Sequence, residues 1–171
     1  MLLRNKKIKQ ATVDDTMQIV TFHAGDGEYG IDIHSVTEAI RPLKVTPLPR
    51  MPQFVEGVIN LRGAIIPIVD LRKRFGIPAS GADPRTFRML ITRGAVDSGE
   101  LIGLIVDSVQ EVITLFRKEI EPAPDAATGE HARFISGVAK IEGRLVILID
   151  ILRILSREER AALAEVGDVH A

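Results

Sequence analysis

The chain has 171 residues with 22 Lys and Arg against 23 Asp and Glu, a net charge of −1, and only 4% aromatics; a nucleic-acid binder needs a concentrated basic surface and often stacking rings, so that class is disfavoured. Cysteine is absent, which removes disulfides, thiolate catalysis and cysteine-ligated metals and suits a reducing compartment. At 46% hydrophobic residues one ordinary globular domain is expected; no apolar run approaches the roughly 18 residues that would cross a bilayer, the N-terminus lacks the apolar stretch of a signal peptide, and a cytoplasmic protein without membrane insertion is the expectation.

Residues 1–15 are polar and read as a flexible tail. The alternation of MQIVTFHA, residues 17–24, predicts a strand, and Asp26-Gly27 a turn into EYGIDIH, giving a first hairpin. Ser35 and Glu38 stand at capping-box spacing, as do Ser108 and Glu111 further on, so each site admits a single helical turn. Val109, Val112 and Ile113 favour a bent strand instead. Pro42, Pro47, Pro49 and Pro52 remove backbone donors and enforce extended geometry, so residues 42–52 are a connector. Pro49-Arg50-Met51-Pro52 matches a P-x-x-P ligand, a pattern short enough that the connector reading stands first.

GVINLR and AIIPIVD predict a second hairpin with Gly63 at its tight turn, and Gly143 serves the same purpose later. Asp70 and Asp150 stand where a strand gives way to a helical turn, a place where a carboxylate accepts from free backbone N–H groups. The basic run Arg72, Lys73 and Arg74 reads as a solvated helical face. Asp97-Ser98-Gly99-Glu100 predicts a turn between FRMLITR and LIGLIVD. Ser156 with Glu159 opens a C-terminal helix, SREERAALAEV, with Ala162, Leu163 and Val166 in its apolar stripe.

The chain also repeats itself. VEGVINLRGAIIPIVDLRK and ISGVAKIEGRLVILIDILR run in step, so that Gly57, Val58, Gly63 and Asp70 return as Gly137, Val138, Gly143 and Asp150 (137 − 57 = 80). Gly30, Ser35, Val36, Glu38 and Ile40 return as Gly103, Ser108, Val109, Glu111 and Ile113 (103 − 30 = 73). Two segments repeating in the same order indicate a duplicated all-β unit. Such a molecule offers two similar surfaces with a groove between them, which fits a connector of other proteins better than an enzyme.

Motifs for chemistry are thin. The chain has no G-x-x-x-x-G-K-[ST] loop, no G-x-G-x-x-G after a strand and no G-x-S-x-G elbow. His23, His34, His131 and His170 are scattered, and Asp32 with His34 on one strand face supplies two ligands, too few for a metal site. Ser98 lies in a turn without a general base. No catalytic residue, metal or cofactor is expected. One charged pair stands out: Glu38 ends the candidate turn and Arg62 precedes the hairpin glycine. In the second copy the glutamate returns as Glu111, whereas Arg62 is replaced by Glu142, so the arginine reads as specific to the first copy.

EYGIDIHSVTEAI, VEGVINLRGAIIPIVDLRKRFG and RLVILIDILRIL together resemble the CheW family of bacterial chemotaxis coupling proteins, over residues 16 to 166. The resemblance implies two five-stranded SH3-like barrels, intertwined around a shared core, with short helices and a C-terminal helix. On that basis residues 16–155 form the CheW-like domain, with repeat units over roughly 17–75 and 87–155, and 156–171 the helix and tail. It further implies a non-catalytic adaptor with two partners: the cytoplasmic tips of methyl-accepting chemoreceptors and the regulatory domain of the histidine kinase CheA. Carried over by position, Glu38 and Arg62 match the polar pair of the receptor-facing site, and Ile33, Val36 and Gly57 its flanking positions. Ile102 and Leu104 are candidates for the second wall of that groove. The kinase-facing loop corresponds to Glu121, Pro122, Pro124 and Asp125. There the family often has a basic residue before Pro-Ala-Pro and an aromatic soon after it, whereas this chain has Glu121 and, at the aromatic position, none. The alternatives are a CheW-like scaffold of a non-flagellar chemosensory or motility pathway, and a small ligand-binding or enzymatic barrel using Asp32, His34 and nearby carboxylates.

Overall fold

The structure, a computed structural model, describes residues 15–79, 81–94, 99–123 and 133–169. Strands β1 (Thr16–Ala24) and β2 (Gly27–Asp32) make the first hairpin. Next come β3 (Val36–Ile40), the hairpin of β4 (Val55–Leu61) and β5 (Ala64–Asp70), and the short helix α1 (Leu71–Phe75). The second copy supplies β6 (Arg88–Arg93), β7 (Leu101–Val106), β8 (Ser108–Phe116), the two-residue β9 (Ile120–Glu121), β10 (Ile135–Ile141), β11 (Arg144–Ile149) and the C-terminal helix α2 (Arg157–Val169).

These strands form two mixed sheets, in the orders β8-β1-β2-β11-β10-β9 and β3-β6-β7-β5-β4. Neither sheet is confined to one copy of the repeat. The first-copy hairpin β1–β2 lies between strands of the second copy, and the second-copy hairpin β6–β7 lies between strands of the first. Each exchange ends in a parallel junction, Ile68↔Gly103 between β5 and β7 and Leu148↔Gly30 between β11 and β2. Glycine leaves room at both for a neighbouring isoleucine: a Cβ on Gly103 would stand 2.4 Å from Ile68 Cδ1, and one on Gly30 2.8 Å from Ile19 Cδ1, so those side chains would have to shift. The expected pair of five-stranded barrels thus appears as a five-stranded and a six-stranded sheet, and no ladder joins the outer strands of either among the described residues.

The alternation of the strands gives each sheet its own apolar lining. One sheet curls over Ile19, Leu115, Ile141, Val146 and Leu148, the other over Ile59, Ile66, Ile68, Met89 and Ile91. A larger shared core lies between them and includes Phe22, Tyr29, Leu71, Leu104, Phe134 and Ile154. Burying each such side chain stabilises by roughly 1.5–3 kcal/mol, so the two copies are held together by the same force that holds each sheet.

Several local expectations are met. Asp70 Oδ1 accepts from Arg72 N at 3.0 Å and Asp150 Oδ1 from Leu152 N at 3.0 Å, both as caps. Ser156 and Glu159 form a reciprocal capping box, Glu159 N donating to Ser156 Oγ and Ser156 N to Glu159 Oε1. In the apolar stripe Leu163 packs on the shared core, Ala162 is exposed, and Val166 lies where only the helix backbone is described. The Asp97–Ser98 part of the predicted turn and His131 lie outside the described residues.

Other expectations are corrected. The helical turn near Ser35 covers Ile33–Ser35 and is capped by Asp32, whose carboxylate accepts from His34 N at 2.9 Å and pairs with His34 Nδ1. Glu38 is therefore in a strand, not in a capping box, and Ser108 and Glu111 likewise belong to β8. The β-branched residues at 36, 109 and 112 prevail over the capping spacing. The first hairpin turns at Gly25-Asp26, one residue earlier than expected, with Ala24 facing Gly27. Nor is the basic run a solvated face. Arg74 is 7% exposed, and Arg72 is enclosed by Asp70, Asp107 and the Phe87 ring.

The proline-rich connector is laddered to the sheet at Thr46, which exchanges backbone hydrogen bonds of 2.8 and 2.9 Å with Val58. The corresponding contact of the second copy is Glu121↔Val138. Around them Thr46-Pro47-Leu48-Pro49 matches Glu121-Pro122-Ala123-Pro124 (121 − 46 = 75), so the duplication extends into the loops.

Candidate functional site

The β4–β5 hairpin turns on Arg62 and Gly63, at φ 51° and 88°. Both central residues are left-handed, as in a type I′ turn, where Asn-Gly is the usual choice. Asn60 Oδ1 supports the turn by accepting from Gly63 N at 2.9 Å. Arg62 in this conformation carries a modest backbone penalty, and its guanidinium reaches across to donate to Glu38 Oε1. A register shift in β3 between Val36 and Glu38 pairs these residues with Thr92 and Ile91, which are adjacent on β6. The bulge re-aims the chain: Val36 packs on the shared core while Glu38 is freed to meet Arg62.

The pair is solvent-facing, with side-chain exposures of 69% for Arg62 and 32% for Glu38. An exposed ion pair adds only about 0.2–1 kcal/mol to stability, so this one holds the mouth of the sheet in place rather than the fold together. Ile33 is half-buried in the turn beside it. Gly57 is buried; at φ 141° a Cβ there would stand 2.1 Å from the Thr46 carbonyl oxygen, so its role is to let the connector approach. Ile102 is 5% exposed and borders a pocket near the hairpin. Leu104 is fully buried in the shared core and has no surface to present.

The second copy has an ion pair of its own, which the comparison of Arg62 with Glu142 missed. Arg144, two positions after Glu142, donates from Nη2 to Glu111 Oε1 at 2.6 Å and lies 3.2 Å from Glu28 through Nε. Glu111 pushes the Arg144 guanidinium above its ordinary value, with Glu28 and Glu142 adding to it. The two mouths differ in charge. Arg62 balances one carboxylate, whereas Arg144 is surrounded by three, which leaves the second mouth acidic.

Of the kinase-facing candidates, Glu121 and Pro122 are exposed at the edge strand β9, and Pro124 and Asp125 lie outside the described residues. At the end of the β4–β5 hairpin opposite Arg62, Lys73 Nζ lies 2.5 Å from Glu56 Oε1, and Glu56 pushes the amine up from its usual value. Asp32 and His34 bond to each other within their own 3-10 turn. No described helix is long and apolar enough to cross a membrane.

The family described as CheW-like domain matches residues 18–159. The chain belongs to the CheW-like family. This CheW-like chain is 39% identical over 145 residues to the chemotaxis protein CheW of Rhizobium meliloti, covering 85% of itself and 91% of the relative. It is 35% identical over 153 residues to the chemotaxis protein CheW of Klebsiella aerogenes, covering 90% of each. Among solved structures it is similar to the scaffolding protein TtCheW from Thermoanaerobacter tengcongensis, with a TM-score of 0.74 and 38% identity, covering 84% of this chain and 90% of that one.

Proposed function

We propose that this CheW-like protein is a non-catalytic adaptor that couples methyl-accepting chemoreceptors to the histidine kinase CheA, acting in the cytoplasm where receptors gather in arrays. The observation that carries the reading is the Arg62–Glu38 pair, held at the mouth of a sheet by a strained turn and a bulge, in a chain of this family. The duplicated architecture supports it. Two equivalent hairpin ends of different charge can take different partners. A charged pair at a rim sets register and partner choice more than strength, and a receptor helix lying in the adjoining groove would gain its affinity from apolar contacts.

The kinase regulatory domain is assigned to the edge at Glu121 and Pro122, with Pro124 and Asp125 next to them in the sequence. The acidic character of that edge calls for cations on the kinase.

The test is a crosslinked pull-down of the tagged protein from its own host, with Arg62→Ala alongside. Recovery of both receptor and kinase is expected, with receptor yield reduced about tenfold in the variant, equivalent to 1.4 kcal/mol, and kinase yield unchanged. Equal receptor recovery by both forms, or recovery of neither partner, would remove the assignment.

A further inference from the structure

The β5 wall that begins two residues after Arg62 borders an open pocket of about 290 Å³, completed by β7 and by helix α2. Its apolar lining includes Ile65, Pro67, Ile102 and Leu163. At this size it sits at the lower edge of the usual range for a small-molecule site, and its open mouth admits side chains from a docked helix. The pocket is continuous with the candidate site. Ala64 and Ile65, which follow the Arg62-Gly63 turn, line it on one side, and the buried Ile102, laddered to Val36 through Thr92, lies at its floor.

The lining also contains Arg160. Its Nη2 donates to the Leu152 carbonyl, yet no carboxylate lies within ion-pair distance of it among the described residues. Its Nε is buried without a hydrogen-bond partner. The adjacent Glu159, by contrast, is engaged by Arg74 and Arg133. A guanidinium partly withdrawn from water beside an apolar pocket, with no ion pair among the described residues, is costly on its own and is placed to receive a carboxylate through its planar fork. Glu100 borders the same pocket from the β7 side.

We infer that α2 is the second wall of the receptor-facing groove. The occupant is an amphipathic helix that inserts an apolar side chain between Ile65 and Leu163 and presents a carboxylate one turn away to Arg160. The inference rests on the adaptor reading, since that reading supplies a helical partner, and it makes Arg160 a specificity-determining contact separate from Arg62.

The experiment measures binding of a synthetic helical hairpin, with the sequence of the host's own receptor tip, to the full-length protein. Wild type, Arg62→Ala, Arg160→Glu and Ile65→Asp are compared, each with its melting curve. Arg160→Glu and Ile65→Asp are each expected to weaken binding at least tenfold. A Lys substituted for one acid of the hairpin should restore at least part of the Arg160→Glu loss. Normal binding by both pocket variants alongside loss in Arg62→Ala would overturn the α2 groove and leave the adaptor reading intact. Failure of wild type to bind, or indifference to Arg62→Ala, would instead sink the adaptor reading and this inference with it. Were Arg160→Glu to melt early, Ile65→Asp decides alone, because Ile65 is 39% exposed at the start of β5 and holds no part of α2.

Discussion

Arg74 and Ile154 hold equivalent places in the two copies (154 − 74 = 80), and they touch: Arg74 Nε donates to the Ile154 carbonyl oxygen at 2.8 Å. Around them the equivalence continues. Phe54 and Phe134 sandwich the guanidinium, with ring centroids 4.2 and 4.5 Å from its carbon. The carbonyls of the same two phenylalanines accept from Asp70 N and Asp150 N at 2.8 and 2.9 Å. The pseudo-twofold relation between the copies therefore runs through a buried cation. Its charge is answered by Glu159 on α2, 3.2 Å from Arg74 Nη2. One side chain thus joins the first copy, the second copy and the C-terminal helix.

Replacing Arg74 by Ala should destabilise the protein by about 3 kcal/mol, because it breaks a largely buried charge pair, leaves Glu159 with only Arg133 at 3.9 Å and the Ser156 amide, and opens the space between two rings. Arg74→Lys keeps the charge but loses the planar fork that both stacks and donates, so it should recover less than half of the loss. Urea unfolding of the three proteins measures this. Full stability in the Lys variant would show that the sandwich geometry is unimportant.

Gly57 was carried over as a receptor-site residue, yet the space around it belongs to Thr46. Gly57→Ala would force a Cβ to 2.1 Å from a carbonyl oxygen at φ 141°. Backbone strain of roughly 1–3 kcal/mol together with roughly 1–3 kcal/mol of overpacking is expected. Receptor binding should fall only as far as the melting temperature does. A variant that melts normally but no longer binds would return Gly57 to the interface itself.

What could be read from the sequence was chain-local or repeated. Asp70 and Asp150 were legible as caps because a carboxylate finds its N–H partners two residues away. Gly63 and Gly143 were legible as turns because positive φ is a property of the residue itself. The exchange of hairpins between copies was not legible. Alternation in IGLIVD marks a strand and one buried face, but no periodicity states that β7 pairs with β5 of the other copy. Three successive cations look solvated until Phe54 and Phe134, 80 residues apart in the chain, close on the middle of the molecule. Arg144 was missed for a different reason. Position-by-position comparison sets Arg62 against Glu142, while a long flexible side chain two residues further on, Arg144, reaches Glu111, the counterpart of Glu38.

The exchange predicts how the chain responds to being cut. Residues 15–79 contain β1–β5 without the strands that flank β1–β2 or the β6–β7 hairpin, and residues 81–169 have the converse gap. Each fragment alone would expose sheet edges and half of the shared core, and neither should show a cooperative melt. Mixed in equal amounts, they should form a one-to-one complex with the circular dichroism of the intact protein. Cooperative folding of either fragment by itself would contradict the exchanged topology.

Tyr29 provides a spectroscopic check on the centre of the molecule, since the chain has one tyrosine and no tryptophan. It stacks on Phe22 at 5.9 Å and meets Phe75 at 5.5 Å, and burial raises its phenol above the usual value near 10. The folded state thus holds its phenolic proton at pH values where the unfolded chain has released it. The stability from this group is whole below about pH 10 and is lost as pH climbs through the folded value, at no more than roughly 1.4 kcal/mol per pH unit. The absorbance of the phenolate near ~295 nm, a wavelength free of tryptophan here, should therefore rise with a midpoint above that of the urea-unfolded chain. Tyr29→Phe should abolish the signal and remove that part of the alkaline slope. Coincident midpoints in folded and unfolded protein would mean that the ring is open to water, and with it the seam where Phe22, Tyr29, Phe75 and Phe134 join the two copies.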